Sequence, residues 1–234
     1  MHVIQVKPIN LTPKTAYLTG VIIGDGHISG SCKSQNDRSK DYRIVIDVTD
    51  EHYAKFIFRL IKSIVLTKSV LRRPKTRGNR KQSFYLQIRN KSLFYFLTAF
   101  MGIPAGAKSS VVSVPPQIKT STLTIKKHFL AGLFDTDGGL RQGTIGFCTA
   151  SPRLNQDVSD LLRELSITHS LDKWRNKQYN RVYYGIRIRK SEIDTFLNML
   201  PLQNAEKLIR ISHRFMRGCR SGQTGQIDSN SLLE

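Results

Sequence analysis

Leu18-Thr19-Gly20-Val21-Ile22-Ile23-Gly24-Asp25-Gly26 recurs as Leu130-Ala131-Gly132-Leu133-Phe134-Asp135-Thr136-Asp137-Gly138, 112 residues further along the chain. A repeat of this kind sets the architecture before any single element is assigned. Val48-Thr49 then aligns with Cys148-Thr149, and Ile88-Arg89 with Ile188-Arg189, both at a spacing of 100. The change of spacing predicts a hairpin shorter by twelve residues in the second copy. Each copy reads as a helix, a hairpin (27–49; 139–149), a helix (50–65; 151–166), a second hairpin and a short helix (91–101; 191–200). The expected fold is α+β: tandem αββαββα units related by a pseudo-two-fold axis. Residues 1–102 read as the N-terminal repeat, 103–122 as the linker (Pro104, Gly106, Pro115, Pro116), 123–217 as the C-terminal repeat and 218–234 as a disordered tail without periodicity.

A chain of 234 residues with 39% hydrophobic content can bury a substantial core. Its 37 Lys and Arg against 17 Asp and Glu leave a net charge of +20, which points to a polyanionic partner. No run approaches the roughly 18 apolar residues of a spanning helix, and the N-terminus MHVIQVKPINLTPK lacks the charged-then-apolar order of a signal peptide. The reading is a soluble intracellular protein, cytoplasmic or nucleoid-associated, with no membrane partner. Cys32, Cys148 and Cys219 form no C-x-x-C pair, so neither a disulfide framework nor a structural zinc site is expected.

The positive charge falls in strand-like segments. In residues 70–91, Arg72, Arg73, Lys75, Arg77, Arg80 and Lys81 flank a Gly78-Asn79 turn, and Phe84, Leu86 and Ile88 alternate with Tyr85, Gln87 and Arg89. Residues 168–190 repeat the pattern: Lys173, Arg175 and Lys177 precede a Tyr179-Asn180 turn, and Tyr184, Ile186 and Ile188 alternate with Arg187 and Arg189. Each is a hairpin with one apolar and one cationic face. Any one strand could be a solvated surface; two repeating hairpins on so basic a chain favour a nucleic-acid groove binder. Ser29, Ser31, Lys33 and Gln35 alternate along the longer first hairpin, with Arg38 and Lys40 at its tip, and Arg43 and Arg141 extend the DNA-facing set. This longer arm implies an asymmetric target. Trp174 and Tyr85 are candidates either for base contact or for packing, and Phe56, Leu60, Leu161 and Leu165 read as core.

Thr12 suits an N-cap and Pro13 the first helical position of the first repeated helix. Ala16, Gly20 and Gly24 recur every four residues and put a flat stripe on one face. Helical Gly costs up to about 1 kcal/mol relative to Ala, so such a stripe calls for a close helix-to-helix approach, with Gly132 and Thr136 as the matching face. Asp25 and Asp137 then end adjacent helices, where unpaired carbonyls already carry negative charge. Two carboxylates there call for a cation. Asp25 and Asp137 with the carbonyls of Gly24 and Thr136 form a hard-oxygen set suited to Mg²⁺, two or more ions, and to phosphodiester hydrolysis. A single Asp-Gly at a helix end is ordinarily just a turn; the repeat argues otherwise.

At these residues the sequence resembles the LAGLIDADG homing endonucleases of the monomeric, two-motif kind, closely in LAGLFDTDG and more loosely in LTGVIIGDG. The resemblance covers residues 12–215. It implies two saddle-shaped antiparallel sheets on the DNA major groove, motif helices at the interface, and cleavage of both strands with Mg²⁺ held by Asp25 and Asp137. It implies a lysine near each metal-bound water, at Lys108 and Lys207, and a polar residue on the second strand of each repeat, where alignment places Asp47 and Phe147. Only Asp47 can orient water, which implies unlike surroundings for the two scissile strands. His27, after the first motif, reads as structural or as a neighbour of the site. The expected function is a site-specific double-strand DNA endonuclease of intron or intein type. An RNA-binding maturase, with intron RNA as partner, and a non-catalytic DNA-binding regulator on the same scaffold are the alternatives.

Overall fold

The computed structural model describes residues 8–29, 42–67, 69–72, 83–178 and 180–216. Ser31, Lys33, Gln35, Arg38, Lys40, Arg73, Lys75, Arg77, the Gly78-Asn79 turn, Tyr179 and the 218–234 tail lie outside the described residues.

The N-terminal unit runs α1 (Pro13–Gly24), β1 (Gly26–Ile28), β2 (Arg43–Val48), α2 (Glu51–Ile64), β3 (Val70–Arg72), β4 (Phe84–Arg89) and α3 (Lys91–Tyr95), whose end widens into π turns at Phe96–Phe100. A short α4 (Pro116–Lys119) leads to the second unit: α5 (Leu123–Asp137), β5 (Gly138–Arg141), β6 (Thr144–Thr149), α6 (Pro152–Glu164), β7 (His169–Asn176), β8 (Arg181–Ile188) and α7 (Ile193–Met199). A final helix, α8 (Ala205–Met216), has no counterpart in the first unit and was not expected from the repeat. Each unit holds one four-stranded antiparallel sheet, ordered β1-β2-β4-β3 and β5-β6-β8-β7. The α+β duplication read from the sequence is the fold observed.

Local chemistry starts the elements where expected. The Thr12 hydroxyl accepts from Thr15 N at 3.3 Å while Thr15 Oγ1 accepts from Thr12 N at 2.8 Å, a reciprocal cap ahead of Pro13. Asp50, Asn90 and Ser151 cap α2, α3 and α6 through the backbone N–H three residues on. Gln142 and Gly143 both have positive φ, 47° and 80°, which closes the β5–β6 hairpin in two residues.

The two units meet along α1 and α5. Both helices are apolar around most of their circumference because each is covered by its partner on one side and by its own sheet on the other. The stripe predicted for this contact is there: a Cβ on Gly20 would fall 2.2 Å from Phe129 O, and one on Gly24 2.1 Å from Thr136 Oγ1. Leu161 and Leu165 are buried as predicted, but Phe56 and Leu60 are only partly buried and pack at the edge of the core.

One expectation needs correction. Gly26 pairs with Ile46 where Gly138 pairs with Phe147, so β2 and β6 correspond at a spacing of 101, not 100. The first hairpin of the second unit is thus eleven residues shorter rather than twelve, and the counterpart of Asp47 is Cys148, not Phe147. Phe147 is a fully buried core residue matching Ile46. A one-residue slip exchanges the faces of a strand. In the linker segment 103–122, Val112, Val114 and Ile118 are buried, Gly106 N donates to Ile28 O at 2.8 Å, and Val112 O accepts from the Ser151 hydroxyl at 2.6 Å. The segment is packed against both units.

Candidate active site between the motif helices

Asp25 follows the last residue of α1, with its N–H closing onto Val21 O at 3.0 Å, and Asp137 is the last residue of α5. The close approach of the helices at Gly20 and Gly132 brings these ends together; a Cβ on Gly24 would lie 3.4 Å from Asp137 Cγ. Asp25 is exposed and Asp137 partly buried. Desolvation by the surrounding protein nevertheless raises the Asp25 carboxyl above its ordinary value, against the pull of Lys207 and Lys108, with nearby Asp47 adding repulsion. Burial first, and repulsion from Asp25 second, push Asp137 up to about 6 against the pull of Lys108, Lys207 and Arg141. Two neighbouring acids, both raised by burial and one also by the other's charge, suit a hard divalent cation. Among the described residues no three His, Cys, Asp or Glu side chains converge as a preformed cage. A pair of carboxylates matches an ion that keeps water and phosphate oxygens as its other ligands.

The carbonyls of Gly24 and Thr136, expected to assist in holding the metal, are otherwise engaged. Lys108 Nζ donates to Ile23 O at 2.8 Å and Gly24 O at 3.2 Å. Lys207 Nζ donates to Thr136 O and to Gly138 O, the latter at 2.6 Å. Each lysine thereby supplies the positive charge that a helix C-terminus asks for. Burial lowers both lysines from their ordinary value, while the surrounding aspartates hold the protons on. The two ammonium groups thus flank the acid pair with the same pseudo-symmetry as the helices.

Asp47 lies on the outward face of β2, across from Tyr85, and is exposed. Its true counterpart Cys148 is half-buried beside Arg141, and burial raises its thiol above the usual range. Asp135 was not singled out from the sequence: it is 2% exposed and accepts from the Tyr17 hydroxyl at 2.6 Å and from Gln203 N at 2.7 Å. Its position, an acid on an otherwise apolar helix, was the available signal. An open groove of about 500 Å³ beside Asp137 is lined by Arg141, Lys207 and Arg210.

On the outward face of the first sheet, register puts Arg43 beside Arg89, Val45 between His27 and Gln87, and Asp47, Tyr85 and Arg72 in one row. Ser29 continues β1 opposite Arg43, its N–H donating to Arg43 O at 2.9 Å, and is buried. In the second sheet, Arg187 shares its face with Asp172 and Trp174, binds Asp172 at 2.5 Å and donates to Gln142 at 2.8 Å. Trp174 stacks on Tyr183 at 6.0 Å and covers Gly185, where a Cβ would meet its ring at 2.9 Å. Lys173 and Arg175 pair with Tyr184 and Val182 and so lie on the opposite face, against the expectation of one cationic surface. Arg141, Lys177 and Arg189 are exposed.

Residues 124–201 match the family described as the LAGLIDADG-like domain. The second unit thus matches a LAGLIDADG-like domain. The chain's two-unit LAGLIDADG fold is shared with the homing endonuclease I-DmoI in complex with DNA and Ca (TM-score 0.63, 21% identity, 86% of this chain and 98% of that one). It is shared also with the homing endonuclease I-WcaI bound to its DNA recognition sequence (TM-score 0.57, 18% identity, 86% and 87%). The N-terminal LAGLIDADG domain of DUF199/WhiA has the same fold (TM-score 0.54, 15% identity, 88% and 90%). In sequence the chain is 28% identical over 193 residues to the replication factor C small subunit of Methanocaldococcus jannaschii, matching 82% of this chain and spanning about 10% of that relative. No helix among the described residues is long and apolar enough to cross a membrane.

Proposed function

We propose that this chain is a monomeric, site-specific double-strand DNA endonuclease of the homing type that uses Mg²⁺, two or more ions, at Asp25 and Asp137. One observation carries the reading: two carboxylates end two helices that cross in glycine contact, between two sheets with outward arginines. Asp25 and Asp137 would hold the divalent ion, which would supply Lewis acidity toward phosphate oxygen and water. The protein's own part is positional and electrostatic. Asp25 and Asp137 fix where the positive charge sits, one toward each strand. Lys108 and Lys207, held at the helix ends, offer ammonium groups to the non-bridging or leaving oxygens, and Asp47 orients water on one side only. The paired sheets hold the duplex through Arg43, Arg72, Arg89, Arg187 and Tyr85 and Gln87 on their outward faces.

The match to a tenth of a much longer replication protein supports carriage within a host gene, as for an intein. The test is incubation with a plasmid bearing the joined host-gene flanks, with and without Mg²⁺. Linear product only with Mg²⁺ is expected. Specific binding without cleavage would give the regulator instead, and binding confined to intron RNA the maturase.

A further inference from the structure

Asp135 takes no part in the chemistry just described, yet it is among the most completely satisfied polar groups in the protein. Its carboxylate accepts from the Tyr17 hydroxyl at 2.6 Å, from Gln203 N at 2.7 Å and from Asn204 N at 3.2 Å, while its backbone carbonyl accepts from Asn204 Nδ2 at 3.1 Å. Tyr17 has one hydroxyl proton, and the shorter contact claims it over Tyr53 Oη at 3.1 Å, so the Tyr53 proton turns toward Tyr17. Every group facing the carboxylate is a donor, which suits its ionised form.

The donors Gln203 and Asn204 belong to the short connection that turns α7 into α8. Asn204 is itself the cap of α8, its Oδ1 accepting from Lys207 N at 3.2 Å. Lys207 is the third residue of that helix and reaches back to Thr136 O and Gly138 O. A continuous line of hydrogen bonds therefore runs from Tyr17 in one unit, through Asp135, to the lysine beside Asp137. Among the described residues the other site has no such line. The counterpart of Asp135 is Ile23, buried and apolar, and Lys108 sits in a turn closed by backbone bonds, with Val111 N and Val112 N donating to Lys108 O.

We propose that Asp135 is a positioning residue for Lys207: it pins the start of α8 to α5 and so fixes the ammonium at one of the two sites, with Tyr17 of the other unit as its third anchor. The inference rests on the endonuclease reading for its consequence, selective loss of cleavage of one strand, but not for its geometry.

The test labels lysines of the DNA-free protein with an acylating reagent and follows Lys207 and Lys108 by mass spectrometry at one pH. Asp135→Asn places an amide donor against three donors, and Lys207 should label about fivefold faster, the scale of one lost helix cap, with Lys108 unchanged. Asn204→Ala removes the cap without touching the carboxylate, keeps the test open if Asp135→Asn does not fold, and should act in the same direction. Unchanged Lys207 labelling in a folded variant, or equal gains at both lysines, overturns the proposal. Strand-resolved cleavage gives the second readout: nicked product at undiminished DNA affinity supports it, and equal loss on both strands overturns it. If the wild-type chain cuts no DNA at all, the endonuclease reading fails, while the labelling result still decides the role of Asp135.

Discussion

Gly20 and Gly132 lie backbone against backbone where α1 crosses α5: a Cβ on Gly20 would stand 3.1 Å from Gly132 C, and one on Gly132 would stand 2.1 Å from Tyr17 O. The obstacle on each side is main chain, which cannot swing away. Gly20→Ala or Gly132→Ala should therefore cost about 3 kcal/mol, at the upper end of overpacking effects, and lower the melting temperature by several degrees. Gly139→Ala, where a Cβ meets nothing within 4 Å, should change stability by less than about 0.5 kcal/mol. Thermal unfolding of the three variants checks the contrast.

Asn in place of Asp25 or Asp137 keeps the side-chain shape and removes the charge. Each single variant should lose double-strand cleavage, and the double variant should bind specifically and cut nothing. Without divalent metal, DNA affinity should hold or rise, because a carboxylate facing phosphate is repulsive until a cation screens it. Gel-shift and plasmid cleavage assays run side by side read both effects. Full double-strand cleavage by either single variant would remove the two acids from the site.

Lys108→Met and Lys207→Met keep the aliphatic stem and remove the ammonium that caps each motif helix. Stability should fall by about 1.5 to 3 kcal/mol, the range for a hydrogen bond to a charged group. If the lysines also serve the reaction, cleavage should fall by about 10² or more at unchanged affinity, as for other charge-stabilising donors. Single-turnover rates on bound DNA separate this loss from weaker binding.

Tyr17 and Tyr53 are both raised well above 10, mainly by burial and next by each other or by Asp135. A group whose folded value lies above its unfolded one stabilises the protein below the unfolded value and loses that contribution as pH climbs past it. Stability should thus decline from about pH 10 upward. In an ultraviolet titration, at least two of the eight tyrosines should ionise only as the protein unfolds. A smooth titration of all eight in the folded protein would contradict the Tyr53–Tyr17–Asp135 arrangement.

The duplication was legible because the motif helices cannot approach without small residues at four-residue spacing, and because strands with one buried face alternate strictly. The same alternation held the warning that the Asp47–Phe147 alignment was wrong, since one position cannot face solvent in one copy and the core in the other. Shared Thr49 and Thr149 outweighed it. Lys173 and Arg175 were misplaced for a related reason: their hairpin projects past the core, so both faces are polar and charge alone does not report its side. Helix α8 was missed because the repeat offered no template beyond residue 200, although Leu208, Ile211 and Phe215 carry helical spacing. Residues that act across the two units, Asp135 with Tyr17 above all, depend on a crossing that no local pattern encodes.

The counterpart of Tyr17, 112 residues on, is Phe129, just as the counterpart of Asp135 is Ile23. Across the helix crossing, hydroxyl meets carboxylate in one direction, and the corresponding residues in the other direction, Phe129 and Ile23, are both apolar and buried. Two C-terminal halves brought together would set each Asp135 against a phenylalanine and forfeit a charge-assisted bond twice, about 1.5 to 3 kcal/mol each. Two N-terminal halves would leave each Tyr17 hydroxyl without its acceptor. The Tyr17–Asp135 bond thereby acts as a key that favours unlike halves over like ones, and a symmetric pair of either half would have to do without it.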